Sequence, residues 1–163
     1  MTKIAAGRTA PGIKLAGLNG QPYSLEEALK GGPVVAAFFK ISCPVCQFAF
    51  PFLERLHKAY GDAVSIWGIS QDDARDTKDF CQEYGITFPA LTDTKGYPVS
   101  NAYGLTNVPT VLLISQDGKA KVSSVGFSKK DLETISAELA RHTGKPPAPV
   151  FLPKEIIPDY KPG

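Results

Sequence analysis

Two thiols, Cys43 and Cys46, are separated by Pro44 and Val45. A C-x-x-C pair can pass between dithiol and disulfide, because the second sulfur lies close enough to close a small ring with the first. The flanking residues say which thiol would react. Pro33-Val34-Val35-Ala36-Ala37-Phe38-Phe39 is an apolar run, and residues 47–56 carry an apolar pattern of helical period. A buried strand therefore feeds a helix, with Cys43 at the helix start. Unpaired backbone N–H groups and the positive dipole end favour a thiolate there. Pro44 suits the first helical position, where its fixed φ fits and its missing N–H costs nothing. Cys46 lies one turn inward on the same side. Cys43 is read as the accessible, attacking thiol and Cys46 as the shielded one.

A metal site would compete for the same residues. Zinc normally takes four ligands, and the other candidates are Cys81, His57 and His142, with no second C-x-x-C. The redox reading is preferred, so neither a metal nor a bound cofactor is expected. Cys81 sits in a helical segment and reads as a small buried hydrophobe. His57 lies on the same helix as the thiols, beyond Pro51, and is assigned to the surface or to a half-buried place. Trp67, inside a strand, is assigned to the core. Asp72 and Asp73 follow that strand and read as helix-capping residues.

The elements that must position the dithiol follow from periodicity and turn signals. Asn19-Gly20 predicts a hairpin between residues 13–18 and 21–24, and Ser24 can cap a short helix over 25–30. Residues 34–39 and 63–70 read as strands covered on both faces. The helix after the cysteines should run to about Tyr60, and a second, polar-faced helix from Asp73 to Tyr84 ends at Gly85. A short strand over 88–91 and a helical turn over 99–103 come next. Gln116-Asp117-Gly118 then predicts a hairpin between 111–115 and 119–125, and Ser128 caps a last helix ending near Gly144. Strand–helix–strand units imply parallel pairing, and the late hairpin adds antiparallel strands. Residues 1–144 are expected to form the domain and 145–163 a Pro-rich C-terminal tail. Val150, Phe151, Leu152, Ile156 and Ile157 suggest that the tail docks.

Composition excludes several functions. The chain has 163 residues, 43% of them hydrophobic, enough for one domain with a substantial core. Its 18 basic and 16 acidic residues are spread evenly, so the net charge of +2 nominates no nucleic acid. No segment approaches the roughly 18 apolar residues of a membrane span. The first residues lack the apolar run of a signal peptide. A cytoplasmic monomer is expected, extracytoplasmic only if a leader has been removed.

Four separated features together resemble the thioredoxin superfamily, specifically the redoxin branch with the TlpA/ResA-type disulfide reductases. Ala10-Pro11-Gly12-Ile13-Lys14-Leu15, followed by Gly20, is similar to the A-P-x-F-x-L…G opening of that branch. The apolar strand leads into Cys43-Pro44-Val45-Cys46, with Pro51 five residues past the second cysteine. Tyr84-Gly85-Ile86-Thr87-Phe88-Pro89-Ala90-Leu91-Thr92-Asp93 resembles Y-G-x-x-F-P-x-L-x-D. Val108-Pro109-Thr110, ahead of Val111-Leu112-Leu113-Ile114, matches the cis-proline loop.

The resemblance implies an α/β, thioredoxin-like three-layer sandwich: a mixed central sheet, helices on both faces and an N-terminal β-hairpin. It implies a cis Val108–Pro109 bond facing the dithiol, and a substrate surface formed by Val108, Pro109, Pro44 and Val45. It implies a disulfide-bearing protein substrate and an upstream dithiol reductant as partners. Departures are visible too. The first cysteine is preceded by Ser42, where thioredoxins usually carry Trp. Ala37 and Ala49 occupy the two places where relatives supply a carboxylate for the resolving thiol. Lys40, three residues before Cys43, is the nearest ionisable group on that side and would favour the Cys43 thiolate. A peroxiredoxin-like peroxidase is the main alternative. Its P-x-x-x-T-x-x-C pattern needs Pro at position 36 and Thr at 40, which are Ala36 and Lys40. A non-catalytic binding module is the second alternative, disfavoured by the retention of both cysteines and Pro109.

Overall fold

Alternation along the central strand decides which helices lie on which face. In β3 (Val34–Phe39) every residue is buried, as expected of a strand covered on both sides. Val35, Ala37 and Phe39 point into one core and Val34, Ala36 and Phe38 into the other. The computed structural model describes residues 4–163. The first core is closed by α2 (Pro44–Tyr60), α3 (Ala74–Tyr84) and α5 (Lys129–Thr143), through Phe50, Leu53, Phe80 and Ile135. The second is closed by α1 (Leu25–Gly31), α4 (Pro98–Ala102) and the segment around Ile13, with Trp67 and Tyr103 in it. Trp67 is core, as expected.

The main sheet runs β5-β4-β3-β6-β7, with β4 Ser65–Ser70, β5 Ala90–Thr92, β6 Thr110–Ile114 and β7 Ala120–Val125. β3, β4 and β5 are parallel; β6 and β7 are antiparallel to their neighbours. The N-terminal hairpin pairs β1 (Lys14–Ala16) with β2 (Pro22–Ser24). This is the mixed, helix-covered sheet expected, with strand ends moved by a residue or two. The fifth strand begins at Ala90 rather than 88: Pro89 has no N–H to offer the ladder, and Phe88 before it packs its ring on Phe50 (centroids 5.7 Å apart).

Register brings the loops of the site together. Phe39 pairs with Ser70, so β3 and β4 end at one edge of the sheet. Phe38 pairs with Thr110, so the start of β6 reaches that edge from the opposite direction. Loops after β3 and β4 and before β6 therefore converge there, where parallel strands of an open sheet leave a crevice.

The residues after α5 hold a short strand that periodicity does not reveal. β9 (Tyr160–Lys161) pairs antiparallel with β8 (Phe127–Ser128). The tail docks, though not through all the residues expected. Val150 is buried and Phe151 and Ile157 pack on the core, whereas Leu152 is exposed and Ile156 is 98% exposed.

Candidate functional site

Cys43 is the N-cap of α2, in extended backbone, and Pro44 takes the first helical turn. Its sulfur accepts the Cys46 backbone N–H at 3.2 Å, one of the donors a helix start leaves unpaired. The same sulfur lies 3.5 Å from the Val108 carbonyl oxygen, to which its S–H donates. Val108–Pro109 is a cis peptide bond, as the loop's sequence suggests. The loop before α2 is tied down at both ends: Cys43 N–H donates to the Lys40 carbonyl, and the Gln47 side-chain amide to the Ile41 carbonyl at 2.9 Å.

The two sulfurs differ in surroundings. Cys43 is half-buried, facing an open cleft of about 420 Å³ that it shares with Lys40, Gln71, Asn107 and Val108. Cys46 is fully buried. Burial pushes its thiol far above the ordinary range, and a hydrogen bond with the Cys43 sulfur adds to the shift; the Lys40 backbone partly offsets it. Pro44 is exposed and Val45 half-buried, but neither lines the cleft, and Pro109 is buried behind Val108. Lys40 is exposed beside Cys43 in the cleft.

A carboxylate also reaches the site, and sequence reasoning assigned it elsewhere. Asp73 is the N-cap of α3, accepting the Asp76 N–H at 2.8 Å. Asp72 instead turns back to the dithiol loop, accepting the Ile41 N–H at 2.8 Å, and its charge contributes to raising Cys46. The capping assignment therefore holds for Asp73 and is corrected for Asp72. The available signal was its place just past the end of β4, at the edge where a crevice forms.

The remaining candidates stand apart. Cys81 is half-buried on α3, pushed up to about 11 by burial first and by the Glu54 charge second. His57 is half-buried on α2, with a buried Nδ1 that finds no partner among the described residues. His142 is exposed on α5. Among the described residues no three His, Cys, Asp or Glu side chains gather into a metal-binding group. No helix among them is long and apolar enough to cross a membrane.

The profile of the AhpC/TSA family matches residues 6–123, most of the sheet and both the dithiol and its cis-proline loop. The chain belongs to the AhpC/TSA family. Its relatives refine the placement. The thioredoxin-like protein YneN of Bacillus subtilis is 30% identical over 135 residues, spanning 80% of this chain and 78% of that protein. The thiol-disulfide oxidoreductase ResA of Halalkalibacterium halodurans is 33% identical over 131 residues, spanning 78% and 73%. Among solved structures, the thioredoxin domain of thiol-disulfide oxidoreductase BVU-2223 from Bacteroides vulgatus has a TM-score of 0.73. It covers 83% of this chain and 98% of that one, and at 24% identity it shows the fold. This redoxin is a thioredoxin-like enzyme of the thiol–disulfide oxidoreductase group.

The buried Cys46 and the half-buried Cys81 of the redoxin carry a pH signature. Below about 8.5, the ordinary thiol value in an unfolded chain, both states hold their protons and stability is unaffected. Above it the unfolded chain releases protons that the native state keeps, so stability falls. Cys81 contributes to this loss until about pH 11, and Cys46 beyond. The slope is at most about 1.4 kcal/mol per pH unit for Cys46, and smaller for Cys81, which solvent partly screens. Urea titrations of the reduced protein from pH 8 to 10.5 should show this decline, and Cys81→Ala should make it shallower. An identical slope in that variant would contradict the partial burial of Cys81.

Proposed function

We propose that the protein reduces or exchanges disulfides of protein substrates through a mixed disulfide on Cys43, resolved by Cys46. The observation carrying this reading is the Cys43 sulfur itself. It receives a helix N-terminal N–H at 3.2 Å, opens on a cleft beside Val108, and has a second, buried thiol one turn behind it.

The Cys43 thiolate attacks one substrate sulfur; a Cys43–substrate S–S bond forms, the substrate disulfide breaks, and the other substrate sulfur leaves as thiolate. Cys46 then gives up its proton and attacks the Cys43 sulfur. The Cys43–Cys46 bond forms, the second substrate thiolate leaves, and two electrons have passed from dithiol to substrate. An upstream dithiol protein restores the reduced pair. The sequence is reversible, so the direction in use follows from the dithiol's potential relative to its partners.

The proton on Cys46 is the difficult one, because the resting site holds that thiol protonated. We assign Asp72 to receive it, in place of the acids absent at Ala37 and Ala49, because it is held on the dithiol loop at Ile41 and its charge acts on Cys46. A positioned base is worth about 10²–10⁴-fold. Asp72 also accepts the Ile41 N–H, and its charge is the weakest of the influences on Cys46, so an effect below that range, about tenfold, is expected. Asp72→Asn should slow decay of the mixed disulfide by that factor in stopped-flow measurements, while Cys43 alkylation keeps its rate. Unchanged decay would assign the proton to solvent.

The function is tested by measuring insulin-disulfide reduction and peroxide consumption side by side, with dithiothreitol as electron source. Insulin reduction with little peroxide turnover is expected. Rapid peroxide turnover without insulin reduction would make the protein a peroxidase. Activity with neither would leave it a binding module.

A further inference from the structure

The segment after α5 returns across the molecule to the dithiol. Arg55 anchors it, donating to the Val150 carbonyl at 2.7 Å and pairing with both oxygens of Glu155 at 2.6 and 2.7 Å. That guanidinium holds the Glu155 carboxyl down to about 2, so the pair stays charged through the neutral range. Phe151 packs on Phe52, centroids 4.9 Å apart, and the Tyr60 hydroxyl accepts the Ala148 N–H at 2.6 Å. From this anchor the chain runs on as a strand. Lys129 N–H donates to the Asp159 carbonyl at 3.0 Å, and Lys161 pairs with Phe127.

The strand is aimed at the cleft beside Cys43. The Lys161 ammonium sits 4.9 Å above the ring of Phe48, two residues past Cys46. Gly163 lines the same cleft as Cys43, packed so tightly on Val108 that any Cβ at 163 would run into the Val108 carbonyl oxygen. Gly126 makes the approach possible. Its φ of +80° belongs to glycine, and a Cβ there would strike the Lys161 carbonyl. The same Gly126 donates its N–H to Pro109, so one residue joins the tail strand to the loop that faces the thiol.

Val108 belongs to the substrate surface of the dithiol reading. Its carbonyl oxygen is 3.5 Å from the attacking sulfur, so whatever becomes bonded to that sulfur passes over it. We infer that residues 159–163 are a specificity element that occupies part of the protein-substrate groove at Val108. An extended polypeptide has to displace the strand to reach Cys43. A small disulfide needs only part of the cleft, which Lys40, Gln71 and Asn107 line as well as Gly163. The inference rests on the dithiol reading above and names its substrate class: small or loosely held disulfides in the resting state, protein disulfides once the strand is lifted. When the competent state is only fractionally populated, apparent reactivity falls by that fraction, and releasing the strand restores it.

Two variants release the strand while keeping Phe151 and the Arg55–Glu155 anchor. Lys161→Pro removes the backbone N–H and the ammonium at the residue paired with Phe127. Deletion of residues 159–163 removes the strand itself. Reduction of insulin and of a small aromatic disulfide is measured for the intact chain and both variants. At least about a fivefold rise in kcat/KM for insulin is expected in either variant, with the small-disulfide rate within about twofold of the intact chain. Unchanged insulin kinetics with small-disulfide reduction retained would overturn the specificity element and leave the dithiol chemistry standing. Failure of the intact chain to reduce even the small disulfide would overturn both.

Discussion

Cys46→Ala should turn the protein into a trap for its substrates, and Cys43→Ala should silence it. Without the buried thiol the first exchange still proceeds, because Cys43 keeps its place at the start of α2 and its cleft. The Cys43–substrate bond then has no internal resolver and persists until an external thiol arrives. Without Cys43, the remaining thiol of the pair is fully buried and held protonated, so it is a poor nucleophile. Loss of turnover by at least about a thousandfold is expected for Cys43→Ala. Mass spectrometry of Cys46→Ala incubated with a disulfide peptide should find the adduct on Cys43. An adduct on Cys81, or full turnover by Cys43→Ala, would reverse the assignment.

The second large effect concerns the platform under the site. Phe50 is 1% exposed and packs on Phe39, Phe80 and Phe88, with ring centroids 4.3, 5.6 and 5.7 Å away. It joins α2, β3, α3 and the approach to β5 in one cluster. Removing a buried phenyl group loses its transfer energy and leaves a cavity that close-packed neighbours fill only in part. Phe50→Ala should cost about 3–5 kcal/mol in urea unfolding. Its neighbour Pro51 already removes one helical hydrogen bond, so α2 depends on side-chain packing at this point. A loss below about 1 kcal/mol would mean the aromatic cluster is not what fixes the helix on the sheet.

Much of the site could be read from local pattern. Pro44 after Cys43 marks a helix start, the run from Val34 to Phe39 marks a covered strand, and both features lie within a few residues of each other. The hairpins at Asn19-Gly20 and Gln116-Asp117-Gly118 are equally local, and both form. What stayed hidden depended on partners distant in the chain. Asp72 looks like its neighbour Asp73 in sequence; only the register of β3 against β4 brings it to Ile41, 31 residues earlier. β9 is two residues between Pro158 and Pro162, too short for any periodicity, and it exists because Phe127 and Ser128 offer it an edge. Ile156 is as apolar as Val150, yet one is exposed and the other buried. Arg55 and Glu155 decide where that stretch of chain turns.

Every step of the proposed exchange requires Cys43 and Cys46 to act as one reversible couple. A redox titration against dithiothreitol buffers, followed by alkylation and mass analysis, measures that directly. The expected result is a single two-electron transition in which both cysteines lose their labels together and the protein loses the mass of two hydrogens, with Cys81 labelled throughout after denaturation. A bridge from Cys43 to Cys81, or loss of the Cys43 label alone with Cys46 still a thiol, would contradict it.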